Sequence, residues 1–318
     1  MIPYDFEIER AVSEAKNSGA KKVLIQAPDG LKQYLGELYM RLASEGIVTV
    51  ISGDPCYGAC DLAEREATFV KPDFLIHIGH LKFQQGMESI PTLYLPASHF
   101  AEISGLHQKT AEFLRSKGYT RVGLVAGVQH MEYLQEFAQA ISRSGVEVLV
   151  DKESGGLVLG CRVDAAKKIE CSVEAFVYLG GGDFHGLGVA LAVEKDVYIA
   201  DPYRNEVRDL AKLKKKILAK RWWGIMEAVK AKSLGVIIVA KTGQFVEGAA
   251  DLCRELELKG KKAFLIAMWD VNWERMAPFT FVDAFIVTGC PRIALDNQDG
   301  FGKPVLNLED AQELLRRL

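Results

Sequence analysis

Short apolar, β-branched runs recur along this chain in three sets, roughly every hundred residues, and that recurrence restricts the fold more than any other feature. The first set is VLIQ (23–26), VTVIS (48–52), FLIHIGH (74–80) and TLYLPA (92–97). The second is VGLVA (122–126), VEVLV (146–150), AFVYLGGG (175–182) and DVYIADPY (196–203). The third is VIIVA (236–240), AFLIAM (263–268), AFIVTGC (284–290) and PVLNL (304–308). Each run is nearly all apolar and is closed by Gly, Pro or Asp. Strands of a parallel sheet read this way when both faces are covered.

Amphipathic stretches lie between many of the runs. Ile8, Ala11, Val12 and Ala15 follow helical spacing and end at Gly19. Leu31, Leu35, Leu38 and Leu42 do so before Gly46, and Met131, Leu134, Ala138 and Ile141 before Gly145. Those glycines stand where a helix C-terminus prefers a left-handed residue. Alternating strands and helices with right-handed crossovers give an open parallel sheet in each copy. The expected class is therefore α/β, with three homologous parallel-sheet units over 1–104, 105–206 and 207–318. Packing around a pseudo-threefold axis would bring their functional edges to one centre.

The length of 318 residues suffices for a sizeable core, and 49% hydrophobic with 25% charged residues is ordinary for a globular chain. A net charge of −3 gives no general argument for nucleic-acid or membrane binding. The start, MIPYDFEIER, lacks the basic and apolar segments of a secretory signal, and no apolar run approaches the roughly 20 residues of a membrane span. A cytoplasmic protein is expected, with neither nucleic acid nor membrane as a direct partner. The third copy opens on a basic stretch: Arg208, Lys212, Lys214, Lys215, Lys216, Lys220, Arg221, Lys230 and Lys232. It reads as a solvated helix face or as a docking surface for an acidic or nucleic-acid-bound partner.

Six cysteines (Cys56, Cys60, Cys161, Cys171, Cys253 and Cys290) are unexpected as disulfides in a reducing compartment. Their positions are informative. Cys60 and Cys161 follow the second strand of copies one and two, and Cys290 ends the third strand of copy three. Ligands of open α/β sheets bind beyond the carboxyl ends of the strands, so each copy offers one cysteine on that edge. Three scattered thiolates suit a 4Fe–4S cluster with one iron left open, or a zinc site, although the local C-x2-C pairing usual for zinc is absent. Cys56 and Cys60 match the first two cysteines of the C-x3-C-x2-C loop of common radical S-adenosylmethionine enzymes, but Ala63 fills the third place. Cys171 and Cys253 lie in apparently helical stretches and read as packing residues.

Further along, LIQAPDG (24–30), YGACD (57–61), HIGH (77–80), VLGC (158–161), FHGLG (184–188), DPY (201–203), KRW (220–222), DVN (270–272) and CPRIALD (290–296) occur in order across nearly the whole chain. With these segments the sequence resembles the archaeal-type diphthamide biosynthesis enzymes, the 2-(3-amino-3-carboxypropyl)histidine synthases. One departure is Leu81, which follows HIGH where the family's HxGHS-like segment sometimes carries a hydroxyl. The resemblance implies that Cys60, Cys161 and Cys290 hold one 4Fe–4S cluster and that S-adenosylmethionine (SAM) binds its open iron. It further implies reductive cleavage to methylthioadenosine and a 3-amino-3-carboxypropyl radical, which is transferred to a histidine of translation elongation factor 2. A homodimer and a separate reductant protein are implied as well.

Candidate SAM contacts are Gln26, Asp29, Gly181, Gly182 and His185. Gly180–Gly182 with Gly186 and Gly188 permits close backbone approach to a ligand, or forms a tight turn. Its spacing is not that of a nicotinamide fingerprint, because His185 and Leu191 occupy the third-glycine positions, and no Walker A sequence is present. Asp29 contacts SAM or caps the next helix. His77 and His80 read by default as a core pair, and Gln26, His130 and Gln244 fall near strand ends. Competing readings are a quinolinate synthase-like 4Fe–4S dehydratase, a non-catalytic partner subunit and a zinc-stabilised scaffold. Replacing Cys60, Cys161 or Cys290 by Ala is expected to abolish cluster assembly, read as bound iron and sulfide, whereas Cys171→Ala and Cys253→Ala retain it. A full cluster in all three ligand variants would overturn the assignment.

Overall fold

The central strands of every sheet are apolar on both faces, and the chain covers them by returning through helices. The computed structural model describes residues 3–82, 88–99, 103, 105–296 and 300–318. By its internal contacts the chain divides into two compact units, Met1–Leu210 and Ala211–Leu318. The expected boundary near residue 104 lies outside the described residues.

The first unit carries two main sheets. Strands β1 (Tyr4–Asp5), β2 (Lys22–Gln26), β3 (Val48–Ile51), β4 (Phe74–Ile78), β5 (Thr92–Leu95) and β6 (Ser98–His99) come first. Of these, β3-β2-β4-β5 form a wholly parallel sheet, while β1 and β6 make a small antiparallel pair. The next sheet has the order β8-β7-β9-β10-β11, with β7 at Arg121–Ala126, β8 at Glu147–Leu149, β9 at Ala175–Leu179, β10 at Asp196–Asp201 and β11 at Glu206–Asp209. Only β11 runs antiparallel. The second unit holds β12 (Ser233–Val239), β13 (Lys262–Met268), β14 (Ala284–Val287) and β15 (Val305–Leu306), in the parallel order β13-β12-β14-β15. Every expected run becomes a strand, and in each sheet the first four strands repeat the spatial order second, first, third, fourth.

Helices cover these sheets as their apolar spacing requires. Helix Ile8–Asn17 buries Ala11, Val12 and Ala15, and helix Met131–Arg143 buries Leu134, Phe137, Ala138 and Ile141. The leucine series at 31, 35, 38 and 42 is split into helices Asp29–Lys32 and Gly36–Ser44, yet all four side chains enter one core. The backbone at Gly19, Gly46 and Gly145 is left-handed, with φ of +72°, +76° and +91°. The basic stretch departs from expectation at its ends. Arg208 lies on β11, paired with Asp183, Asp201 and Glu206, and Lys232 follows the helix Ala211–Lys230. Cys253 packs in the core of the second unit, whereas Cys171 is exposed. The reading of Cys171 as a packing residue is corrected, because helix Asp164–Ile169 gives way to a tighter turn, Glu170–Ser172, with no buried member.

Two devices recur in the sheets. Gly123 faces Phe176 across β7 and β9, and Gly235 faces Phe285 across β12 and β14. A Cβ at either glycine would stand 2.4 or 2.8 Å from the opposing ring, so each ring occupies the space a side chain would need. The second device clamps the amino ends of the strands. Asp73, Glu174 and Asp283 each precede the third strand of a sheet, and one carboxylate oxygen of each accepts two backbone N–H groups at the start of the first strand. These distances run from 2.6 to 2.9 Å. Strand ends thereby find partners for groups that water alone would otherwise satisfy.

Those bonds lower all three carboxyl pKa values. For Asp73 and Glu174 the backbone N–H groups are the leading cause, and for Asp283 the Ser233 hydroxyl leads. A carboxyl lowered in the folded state stabilises it above the ordinary value, 3.8 for Asp and 4.5 for Glu, and loses that effect as pH falls through the folded value. In urea melts, the triple variant Asp73→Asn, Glu174→Gln, Asp283→Asn is therefore expected to be less stable than the natural chain at pH 7. The difference should narrow progressively below pH ~4.5.

Candidate functional site

Each of three cysteines sits at the carboxyl edge of its sheet, on a loop held by hydrogen bonds or by packing against a neighbouring glycine. The Cys60 loop leaves β3 and is held from below by Gln26, the last residue of β2. Gln26 is buried; its Nε2 donates to the Asp61 carbonyl at 2.7 Å, and its Oε1 accepts the Ala63 N–H at 3.1 Å. Asp61 N–H donates to the Gly58 carbonyl at 3.0 Å, closing a tight turn around Cys60. A Cβ on Gly58 would lie 3.4 Å from the Cys60 sulfur. Lys32 ties down the start of this loop through Nζ bonds to the carbonyls of Gly53 and Asp54.

The Cys161 loop follows β8. Val158 N–H donates to the Ala126 carbonyl at 2.9 Å, and Leu159 N–H to the Arg162 carbonyl at 2.8 Å, which leaves Gly160 and Cys161 at the tip. Phe184 from FHGLG lies against that tip, and a Cβ on Gly160 would meet its ring at 2.1 Å. In the second unit, Cys290 follows β14 and opens helix Pro291–Asp296, its carbonyl accepting the Ile293 N–H. Gly289 is confined in the same manner, with Val239 at 2.5 Å and the Gln244 carbonyl at 2.9 Å from a built Cβ. Glycine directly before Cys161 and before Cys290 is thus a packing requirement, whereas a Cβ on Gly58 would make only ordinary contact. LGC and TGC carry that signal in the sequence.

Accessibility separates these thiols from the buried Cys253. Cys60 and Cys290 are half-buried and Cys161 is exposed, whereas Cys253 is enclosed by apolar side chains. A thiolate forms readily only where water or a cation reaches it, so the three edge cysteines have the donor chemistry an iron–sulfur cluster takes. Cys56 is different. Burial, followed by the charge of Asp61, pushes its thiol up to about 12.

Other candidates divide by environment. Asp29 is largely exposed and pairs with Lys32 at 2.7 Å. Its expected role as a helix cap is corrected: Pro28 holds the cap position and Asp29 is the first helical residue, where no side-chain cap bond forms. Gly181 is covered by the Tyr203 ring, 2.4 Å from a built Cβ, whereas Gly182 has φ +67° with nothing near its missing side chain. His185 lies on helix Phe184–Ala192 beside Tyr178 and Phe184. His77 is fully buried and His80 half-buried. His130 is buried beside Tyr203 and His99, and burial lowers its imidazole to about 4. In the second unit Gln244 is also buried, and the buried Lys241 ammonium pairs with Asp270 of DVN at 2.9 Å.

An α/β protein whose parallel sheets each present a glycine-backed cysteine at the carboxyl edge is the class these features define. Residues 27–317 match the family described as "Putative diphthamide synthesis protein". The 2-(3-amino-3-carboxypropyl)histidine synthase of Pyrococcus horikoshii is 35% identical over 313 residues, covering 96% of this chain and 88% of that protein. The like-named protein of Methanocaldococcus jannaschii is 26% identical, covering 98% and 90%. Among solved structures, Dph2 from Pyrococcus horikoshii with a 4Fe–4S cluster matches with a TM-score of 0.88 at 33% identity, over 99% of this chain and 91% of that one. The chain belongs to the diphthamide synthesis family.

Gly160→Ala is expected to destabilise the first unit by about 1–3 kcal/mol, because the ring of Phe184 must move. Gly36→Ala, in a helix with open space around it, should be neutral or stabilising by up to about 1 kcal/mol. Chemical denaturation of both variants checks the contrast.

Proposed function

We propose that this protein catalyses the first step of diphthamide biosynthesis, with Cys60, Cys161 and Cys290 as the three protein ligands of one 4Fe–4S cluster. The reading rests chiefly on one observation: each sheet has one accessible cysteine at its carboxyl edge, on a loop anchored by buried packing and backbone hydrogen bonds. When bound and reduced, such a cluster supplies the electron that breaks the bond between the sulfur of SAM and its methionine γ-carbon. Methylthioadenosine would leave, and the 3-amino-3-carboxypropyl radical would add to an imidazole carbon of a histidine on translation elongation factor 2, whose ring is restored when that carbon's hydrogen departs as a proton to solvent and an electron to an acceptor of the iron–sulfur class.

The chain's own contribution is to hold, orient and shield. Gln26 keeps the Cys60 loop on the strand ends through two amide hydrogen bonds, so its part in SAM binding is one of positioning. The exposed Asp29 carboxylate is a partner for the SAM amino group. Gly181, open Gly182 and His185 form the segment along which the rest of SAM lies. A reductant protein delivers the electron, and two copies of the chain act as a homodimer in the cytoplasm. Among the described residues no helix is long and apolar enough to cross a membrane.

Anaerobically reconstituted, reduced protein incubated with SAM is expected to release methylthioadenosine, identified by mass spectrometry. Its absence from protein carrying about four iron and four sulfide per chain would overturn the proposal.

A further inference from the structure

Beside the Cys60 loop stands a second group of ligand-type side chains, which the proposed reaction does not use. Cys56 Sγ and one ring nitrogen from each of His77 and His80 lie within 4.8 Å of one another. The hydrogen-bond pattern fixes which nitrogens face inward. Gln26 engages its amide N–H on the Asp61 carbonyl, so its Oε1, 2.9 Å from His77 Nδ1, is an acceptor. His77 therefore carries its proton on Nδ1 and turns the Nε2 lone pair toward His80 Nδ1, 3.0 Å away. A neutral His80 meets this lone pair by donating its Nδ1–H, and a metal ion taken up there would replace that hydrogen once His80 carries its proton on Nε2.

Local backbone geometry builds this pair. Gly79 has φ +90°, and it turns the chain so that His80 folds back over His77. Pro28 and Leu31 pack against it, 3.1 to 3.3 Å from a built Cβ, and Gln129 Nε2 holds its carbonyl at 2.9 Å. Burial keeps both imidazoles neutral at pH 7, the form that ligates a metal. A ring orientation set by a carbonyl oxygen on the remote nitrogen is the usual support of a metal-bound histidine.

We infer that Cys56, His77 and His80 form a mononuclear site for a divalent ion of the zinc class, separate from the three cluster cysteines. Two nitrogens on one tetrahedral zinc, each bonded at about 2.0 Å, stand about 3.3 Å apart, so the histidines need shift only a few tenths of an ångström. On binding, the Cys56 thiol gives its proton to solvent and the thiolate bonds to the metal, a gain of one positive charge at the site. Three protein ligands leave a fourth position for water or an external lone-pair donor, the coordination of a reactive zinc.

The test uses the full chain after cluster reconstitution, exposed to zinc(II) and freed of excess by gel filtration. One retained zinc per chain is expected, and zinc-edge X-ray absorption should show one sulfur and two imidazole nitrogens. Cys56→Ser and His80→Gln should each lower retained zinc at least tenfold without loss of iron, while Cys60→Ser keeps it. No retained zinc, two or more sulfurs in the zinc shell, or unchanged zinc in both variants would overturn the site. If either variant fails to fold, the absorption spectrum of the natural chain decides alone.

Discussion

Burial of the central strands on both faces is the constraint from which most of this structure follows. Leu24 and Ile25 on β2, Val177 on β9, and Ile286 on β14 are wholly enclosed. Such strands have no face for water, so each must be followed by a covering helix before the chain can return in parallel. Parallel return places all the carboxyl ends of a sheet on one side. Polar and thiol groups that cannot enter the layers then collect in the loops on that side.

The two ends of each sheet do different work as a result. At the amino ends, Asp73, Glu174 and Asp283 repeat one carboxylate clamp on the first strand. At the carboxyl ends, packing shapes the loops that carry Cys60, Cys161 and Cys290. Phe184 against Gly160, and Val239 against Gly289, leave no room for a larger neighbour. The Cys161 and Cys290 loops are thus held by contacts one residue away, and the Cys60 loop by the Gln26 amide, while the thiols remain accessible. Gln26 joins the two kinds of order, since its buried amide fixes both the Cys60 loop and the tautomer of His77.

Much of this was legible in the residues, and the exceptions share a cause. The apolar runs marked every strand of the parallel sheets, because two-sided burial demands continuous hydrophobicity. Strands β1, β6 and β11 escaped notice because they are short, polar and at sheet margins, where pattern carries little information. Cys171 and Asp29 were misread for a related reason. Whether a side chain is exposed at a helix end, or which residue caps it, depends on a turn of one or two residues that periodicity does not resolve.

What the sequence determined by itself was the class of fold, the threefold repetition of its strand runs and three cysteines at corresponding edges, together with the motifs that mark the family. These depend on hydrophobic period and on the order of short segments, both linear properties of the chain. What only the tertiary structure decided was which polar groups meet. Cys56, His77 and His80 come together because β3 and β4 flank β2 and because Gly79 reverses the chain. The ring of Phe184 reaches Gly160 from another segment for a similar reason. Contacts between residues distant in sequence arise from strand adjacency and side-chain direction, and neither is written in any single segment.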